Sequence, residues 1–188
     1  MIQELVEKNR SYRRFDTHTA ITEGTLRELV NLGRLSASGR NLQPLKYMLS
    51  CDAEKNARVY ATLSWAGYLG GWAPAENERP TAYIVMLGDK EIATSFSVDE
   101  GVAAQSILLG AVEMGLGGCM ISSIRRVELA AALAIPEDYE ILLVIALGKP
   151  VEVVQLEPIG ADGGVKYWRD ADGVHHLPKR ALDDLIIK

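Results

Sequence analysis

Cysteine is scarce in this chain of 188 residues. It occurs at Cys51 and Cys119, far apart and in no CxxC pair, which excludes a disulfide scaffold and a cysteine zinc site and suits a reducing compartment. Each thiol reads as a small buried hydrophobe. Histidine is nearly as rare: His18, His175 and His176 have no partners at metal-ligand spacing, so no metal is expected. The longest clean apolar run, Ile141 to Leu147, falls far short of the ~20 residues a membrane span requires. The opening MIQELVEKNR has no signal-peptide hydrophobic region, so the expected location is cytoplasmic, with no membrane partner. Basic residues are outnumbered, Lys+Arg 20 against Asp+Glu 25, for a net charge of −5. A mildly acidic chain is a poor general nucleic-acid binder, so no nucleic-acid partner is expected.

What is present suits a folded protein. Hydrophobic residues make up 48% and charged residues 24%, enough for one domain over residues 1–188 with a sizeable core. Helical spacing marks residues 2–9, a helix from about Glu23 to Ala37 capped by Thr22, and another from Ala53 to Leu63 capped by Asp52. Strands are expected at Lys46 to Cys51, Thr81 to Leu87, after Gly117-Gly118, and at Glu140 to Gly148. Asp99 to Gly115 is apolar nearly all round, so it must be buried on most faces, against a sheet on one side and a partner subunit on the other. A short helix spans Val127 to Ala134. After Pro150 the chain is extended, with a small hairpin around Asp170 to Gly173 and a short helix from Ala181 to Ile186. Helices and strands are mixed with few βαβ repeats, which makes the class α+β.

No GxSxG elbow, HExxH, Walker loop or Rossmann GxGxxG occurs, and no Ser/His/Asp set stands out. That favours a cofactor enzyme or a binding protein. The polar residues gather in a few stretches. Asn9-Arg10-Ser11-Tyr12-Arg13-Arg14-Phe15 carries three guanidinium groups, suited to forked recognition of phosphate. By itself this stretch reads equally as a solvated basic turn. Arg10 and Arg13 can point one way, leaving Arg14 in solvent and Phe15 in the core. Ser38, Asn41 and Gln43 crowd one loop before Pro44, a place where a plain helix C-cap would also put such residues. Gly117 and Gly118 either turn the chain or let a ligand approach the backbone before Ile121, Ser122 and Ser123. Lys179 and Arg180 open the last helix. Together these groups suit a ligand with a phosphate, a polyol and a flat ring. Trp65, Tyr68 and Trp72 are either a substrate-side wall or core anchors.

The ordered set of stretches resembles the FMN-dependent nitroreductases. The matching segments are Arg10 to Phe15, Ser38 to Pro44, Gly115 to Ser123, Leu147 to Pro150 and the terminal Lys179-Arg180-Ala-Leu-Asp-Asp-Leu. The resemblance implies an α+β fold with a central, mostly antiparallel sheet flanked by helices, in an interwoven homodimer with two FMN sites. It implies that Arg10, Ser11 and Arg13 hold the phosphate, ribityl and pyrimidine side. Ser38, Asn41 and Gln43 would reach the FMN bound mainly by the other subunit. Ile121, Ser122 and Ser123 would lie against the ring near N5, and Lys179 and Arg180 would complete the phosphate site. Three positions depart from the pattern: Asn9 stands where many relatives have Arg, Ser122-Ser123 where many have paired glycines, and Leu45 where Trp is common.

The implied activity is ping-pong hydride transfer from NADH or NADPH through the flavin to an electron-poor acceptor, such as a nitroaromatic or quinone. Two alternatives stand beside it. One is a flavin-binding or flavin-remodelling protein of the same fold without NAD(P)H turnover. The other is a non-enzymatic dimeric interaction module.

Overall fold

The apolar run ending at Leu147 becomes the axis of the sheet. The computed structural model describes residues 1–187. In chain order the elements are α1 (Ile2–Lys8), β1 (Phe15–Asp16), α2 (Glu23–Leu35), β2 (Leu45–Ser50), α3 (Ala53–Tyr60), β3 (Ala82–Asp89), α4 (Ser97–Glu113), β4 (Gly117–Ile121), α5 (Arg126–Leu133), β5 (Tyr139–Pro150), β6 (Val154–Pro158), β7 (Trp168–Arg169) and β8 (His175–Lys179). β5 pairs antiparallel with β3 along most of its length, with β4 from Val144 to Gly148, and with β1 at Lys149 and Pro150. β2 pairs antiparallel with the far side of β3.

Helices cover both faces of this sheet, so its middle strands are apolar throughout rather than alternating. All eight residues of β3 are buried. Ile84 and Met86 face Leu26 and Leu29 of α2 and Ala104 and Ile107 of α4. Tyr83 and Val85 face Val59 of α3 and Leu129 and Leu133 of α5. Burying one such side chain contributes about 1.5–3 kcal/mol, so the two clusters dominate the stability of the sheet. The two expected caps are present: Thr22 Oγ1 accepts the Thr25 N–H at 3.1 Å, and Asp52 Oδ1 accepts the Lys55 N–H at 2.8 Å.

The end of the chain differs from expectation in two ways. The hairpin around Asp170 forms, with β7 antiparallel to β8. However, β6 also pairs with β8, in parallel, from Val154↔His175 to Pro158↔Lys179. That pairing joins residues about twenty positions apart and leaves no local pattern. The expected helix from Ala181 to Ile186 is a single 3₁₀ turn, Leu182–Asp184. Leu182, Leu185 and Ile186 are all exposed, and a helix this short holds together only when an apolar face is packed.

Candidate cofactor site

The arginine stretch lies along β4. Leaving α1, Asn9 donates its amide to Gln105 Oε1 of α4 at 3.3 Å. Ser11 then bridges Gly118 in parallel, and the Tyr12 N–H donates to the Gly118 carbonyl at 3.0 Å. Glycine permits this approach. A Cβ on Gly117 would lie 2.6 Å from both Tyr12 and Pro150, and one on Gly118 would lie 2.5 Å from the Ala146 carbonyl oxygen. These two glycines therefore serve packing of chain on chain, while the turn itself falls to Gly115 at φ +72°.

The three guanidinium groups separate. Arg14, expected in solvent, makes a two-pronged, partly buried ion pair: Nε and Nη2 donate to the Glu78 carboxylate at 2.9 and 2.6 Å. The Arg14 bond in turn holds the Glu78 carboxyl below the usual carboxylate range. Arg10 donates from Nη2 to the Val6 carbonyl at 2.5 Å, and its Nε is buried without a partner. Arg13 donates from Nη1 to the Ser11 carbonyl at 3.1 Å, with its guanidinium 5.2 Å from the centre of the Tyr167 ring. Among the described residues, neither Arg10 nor Arg13 is ion-paired to a carboxylate. Phe15 is fully buried, as expected.

Sequence reasoning missed the group beneath this motif. The Glu152 side chain has no solvent exposure and pairs with Arg169 Nη2 at 2.6 Å. The same carboxylate accepts the backbone N–H of Arg13 and, at 3.2 Å, that of Arg14. An acid between Val151 and Val153, just past the last apolar strand, was the available signal. The Cys119 thiol is pushed up by burial, with Arg13 and Ser11 pulling the other way. His175 is fully buried, with neither ring nitrogen partnered among the described residues. Burial pushes it down to about 4, helped by Arg13, Arg169 and His176.

The other expected residues lie elsewhere. Ile121 ends β4 with its side chain in the core and its backbone paired with Val144 of β5, and Ser122 and Ser123 follow it exposed. Gly118 and Ile121 are three residues apart, about 10 Å along a strand, so the arginine stretch and this segment share one edge of the fold. The Ser64 N–H donates to the Ser123 carbonyl at 3.0 Å, bringing the aromatic loop alongside. Within that loop Trp65 is a core residue packed on Tyr60 at 5.8 Å. Trp72 lies under the Arg169 guanidinium at 4.2 Å. Tyr68, 56% exposed, meets Tyr167 at 5.0 Å.

Ser38, Asn41 and Gln43 sit on the loop after α2. Ser38 and Gln43 line a cavity of about 160 Å³ with Gly33, Tyr47 and Asp99. Burial, with Asp99 adding to it, pushes the Tyr47 hydroxyl up to about 12. Arg40, Asn41 and Gln43 all have left-handed backbone, φ +53°, +57° and +52°, a conformation costing roughly 1–2 kcal/mol for a residue with a Cβ. Lys179 and Arg180 are exposed at the end of β8 and line a separate recess with Glu157, Gly160 and Asp184. No hydrogen bond or ion pair among the described residues joins them, or the Ser38–Gln43 loop, to Arg10 or Arg13. Within one chain the structure therefore brings together the arginine stretch, β4 and the Ser122-Ser123 segment, and leaves the other two groups apart.

The model of the nitroreductase family matches residues 6–149. A NADPH-flavin oxidoreductase of Vibrio harveyi is 26% identical over 172 residues, spanning 82% of this chain and 68% of that protein. Among solved structures, a protein of Desulfovibrio desulfuricans in complex with FMN superposes with a TM-score of 0.73 at 21% identity, over 100% of this chain and 95% of that one. A nitroreductase family protein of Streptococcus pneumoniae gives 0.72 at 17% identity over the whole of both chains. An FMN-dependent nitroreductase of Clostridium difficile gives 0.66 at 23% identity, over 81% of this chain and 88% of that one. Likeness at such identities establishes the fold.

Proposed function

This chain belongs to the nitroreductase family, and from that premise we propose that it is an FMN-dependent oxidoreductase. Its reductant is NADH or NADPH, and its acceptor is an electron-poor compound such as a nitroaromatic or quinone. The observation that carries this proposal is a surplus of positive charge. Among the described residues Arg10 and Arg13 stand without carboxylate partners beside β4, and Arg10 keeps a buried Nε with no partner. Such a donor set fits an anionic, phosphate-bearing cofactor. The NADPH-flavin oxidoreductase and the FMN complex among its relatives point the same way.

FMN, when bound, supplies the hydride chemistry at N5, in two alternating half-reactions that reductant and acceptor enter by one face. The chain's own work is binding and orientation. Arg10, Ser11 and Arg13 would hold the phosphate, ribityl and pyrimidine side; Lys179 and Arg180, which line a recess of their own, are not assigned to that site. Ser122 and Ser123, anchored by Ile121 at the end of β4, would offer backbone N–H groups to the ring. Positive groups and N–H donors aimed at the pyrimidine edge favour negative charge there. Ser38, Asn41 and Gln43, which make no hydrogen bond to Arg10 or Arg13 among the described residues, would serve the site of a second copy, which makes the working unit a homodimer. Tyr68 and Trp72 stand on the substrate side. Free Cys51 and Cys119 suit the cytoplasm.

The test is an absorbance spectrum of FMN-treated protein before and after anaerobic addition of NADH or NADPH. Flavin bands that bleach on addition support the proposal. Protein that takes up no FMN sinks it. Bands that persist in the presence of both nucleotides identify a flavin-binding protein without turnover.

A further inference from the structure

We infer that Asp99 is a positioning residue: it clamps the Ser38–Gln43 loop in a left-handed shape that presents Asn41 and Gln43. This rests on the proposed contact between that loop and FMN. Three residues with side chains, Arg40, Asn41 and Gln43, hold positive φ within four positions. Backbone in this region persists where surrounding structure over-determines it, and it gathers at functional sites. The loop's own bonds, Asn41 N–H to the Ser38 carbonyl at 2.9 Å and Leu42 N–H to the Gly39 carbonyl at 3.1 Å, close the turn without tying it to the body of the fold.

Asp99 supplies the tie. It sits in the first turn of α4, 9% exposed, where the positive end of the helix suits a carboxylate. Its Oδ2 accepts the Ser38 hydroxyl at 2.5 Å and its Oδ1 accepts the Gly39 N–H at 2.9 Å. Ser38 Oγ in turn accepts the Gln43 N–H at 2.9 Å. One relay thus runs from α4 through the first residue of the loop to its last. The relay reassigns Ser38. Its proton is committed to Asp99, so it does not donate to the cofactor. Asn41 and Gln43, both exposed, remain as the loop's ligand-facing side chains.

The test uses the full chain, with FMN as the probe, followed by flavin fluorescence. In Asp99→Asn an amide NH₂ replaces one acceptor and cannot take the Ser38 proton. FMN Kd should rise at least tenfold in this variant and at least threefold in Ser38→Ala. The double variant should lie within twofold of Asp99→Asn, because both break one relay. Adding Arg40→Gly to Asp99→Asn should recover at least threefold, since glycine takes φ +53° without strain; a merely structural loss of α4 would show no such rescue. Hydrogen exchange gives a readout independent of flavin: the Gly39 and Gln43 amides should exchange at least tenfold faster in Asp99→Asn while β3 and β5 are unchanged. Kd values within twofold of wild type in both single variants, losses that multiply in the double variant, or unchanged exchange at Gly39 and Gln43 would each overturn the inference. Wild-type protein that binds no FMN refutes the proposed function instead, and the exchange measurement still decides the clamp.

Discussion

Glu152 and Arg169 form a 2.6 Å ion pair whose carboxylate is wholly shielded from water. Glu152 comes just after β5, and Arg169 belongs to β7 of the small C-terminal sheet. Because Glu152 also accepts the backbone N–H groups of Arg13 and Arg14, one buried charge joins the N-terminal arginine stretch to the C-terminal sheet. Arg169 extends the link to the aromatic loop by lying 4.2 Å over Trp72. Three segments that are remote in sequence meet at a single carboxylate.

Removing that carboxylate should be costly. Stranding one partner of a buried pair costs about 3–5 kcal/mol, and in a chain of this size each kcal/mol lowers the midpoint by about 2–4 °C. Glu152→Ala should therefore lower the thermal midpoint by roughly 6–20 °C in circular dichroism melts. It should also release the Arg13 backbone and weaken FMN binding. A melt within 2 °C of wild type, on the same scale, would show that the pair is not holding the segments together.

Arg10 and Arg14 stand four residues apart and should behave oppositely. Arg10 lacks a carboxylate partner among the described residues and is assigned to the cofactor, so Arg10→Ala should weaken FMN binding by tenfold or more, about 1.4 kcal/mol. Arg14 is committed to Glu78, so Arg14→Ala should cost about 1 kcal/mol of stability and leave flavin affinity nearly unchanged. Fluorescence titration and thermal melts on the same samples separate the two effects. Equal losses of flavin affinity in both variants would contradict the division of the motif.

His175 and His176 should tilt stability in opposite directions with pH. His175, buried and flanked by Arg13, Arg169 and His176, titrates at about 4 in the folded chain, against about 6.5 unfolded. The unfolded chain takes up the proton first as pH falls, so this residue withdraws stability between about 6.5 and 4. His176 is raised, first by its bond to Asp170 and then by Glu157. Its contribution is complete below about 6.5 and is lost as pH rises through its higher folded value. Since neither ring nitrogen of His175 has a partner among the described residues, His175→Leu should not lower the thermal midpoint of the apo-protein at pH 7. Its advantage over wild type should widen toward pH 4. His176→Gln should narrow its deficit as pH rises above 7. Melts across pH 4 to 8 check both signs, and parallel curves for wild type and His175→Leu would contradict the assignment.

Much of the fold was legible because its signals are local. Thr22 and Asp52 sit at the helix starts their side chains cap, and the apolar runs of β3 and β5 announce strands covered on both faces. The order of the arginine stretch, the Ser38 to Pro44 loop and the Gly115 to Ser123 turn pointed to the nitroreductase family, to which the chain belongs. Illegible features depend on partners distant in sequence. The β6 strand exists through its parallel register with β8. Arg14 is paired because Glu78 arrives from 64 residues away, and Trp65 is a core residue because α3 and β4 converge on it.

Hydrophobic period, caps and residue type are properties of short stretches, so residue order alone specified the main helices, the long strands and which side chains are charged. Tertiary structure decided which charges are spent. It neutralises Arg14 with Glu78, buries Glu152 beneath Arg13, ties Ser38 to Asp99, and leaves Arg10 and Arg13 without carboxylate partners among the described residues. The physical reason is that an ion's availability depends on what lies within hydrogen-bond reach and on how much water remains around it, and both are set by segments that meet only when the chain has folded.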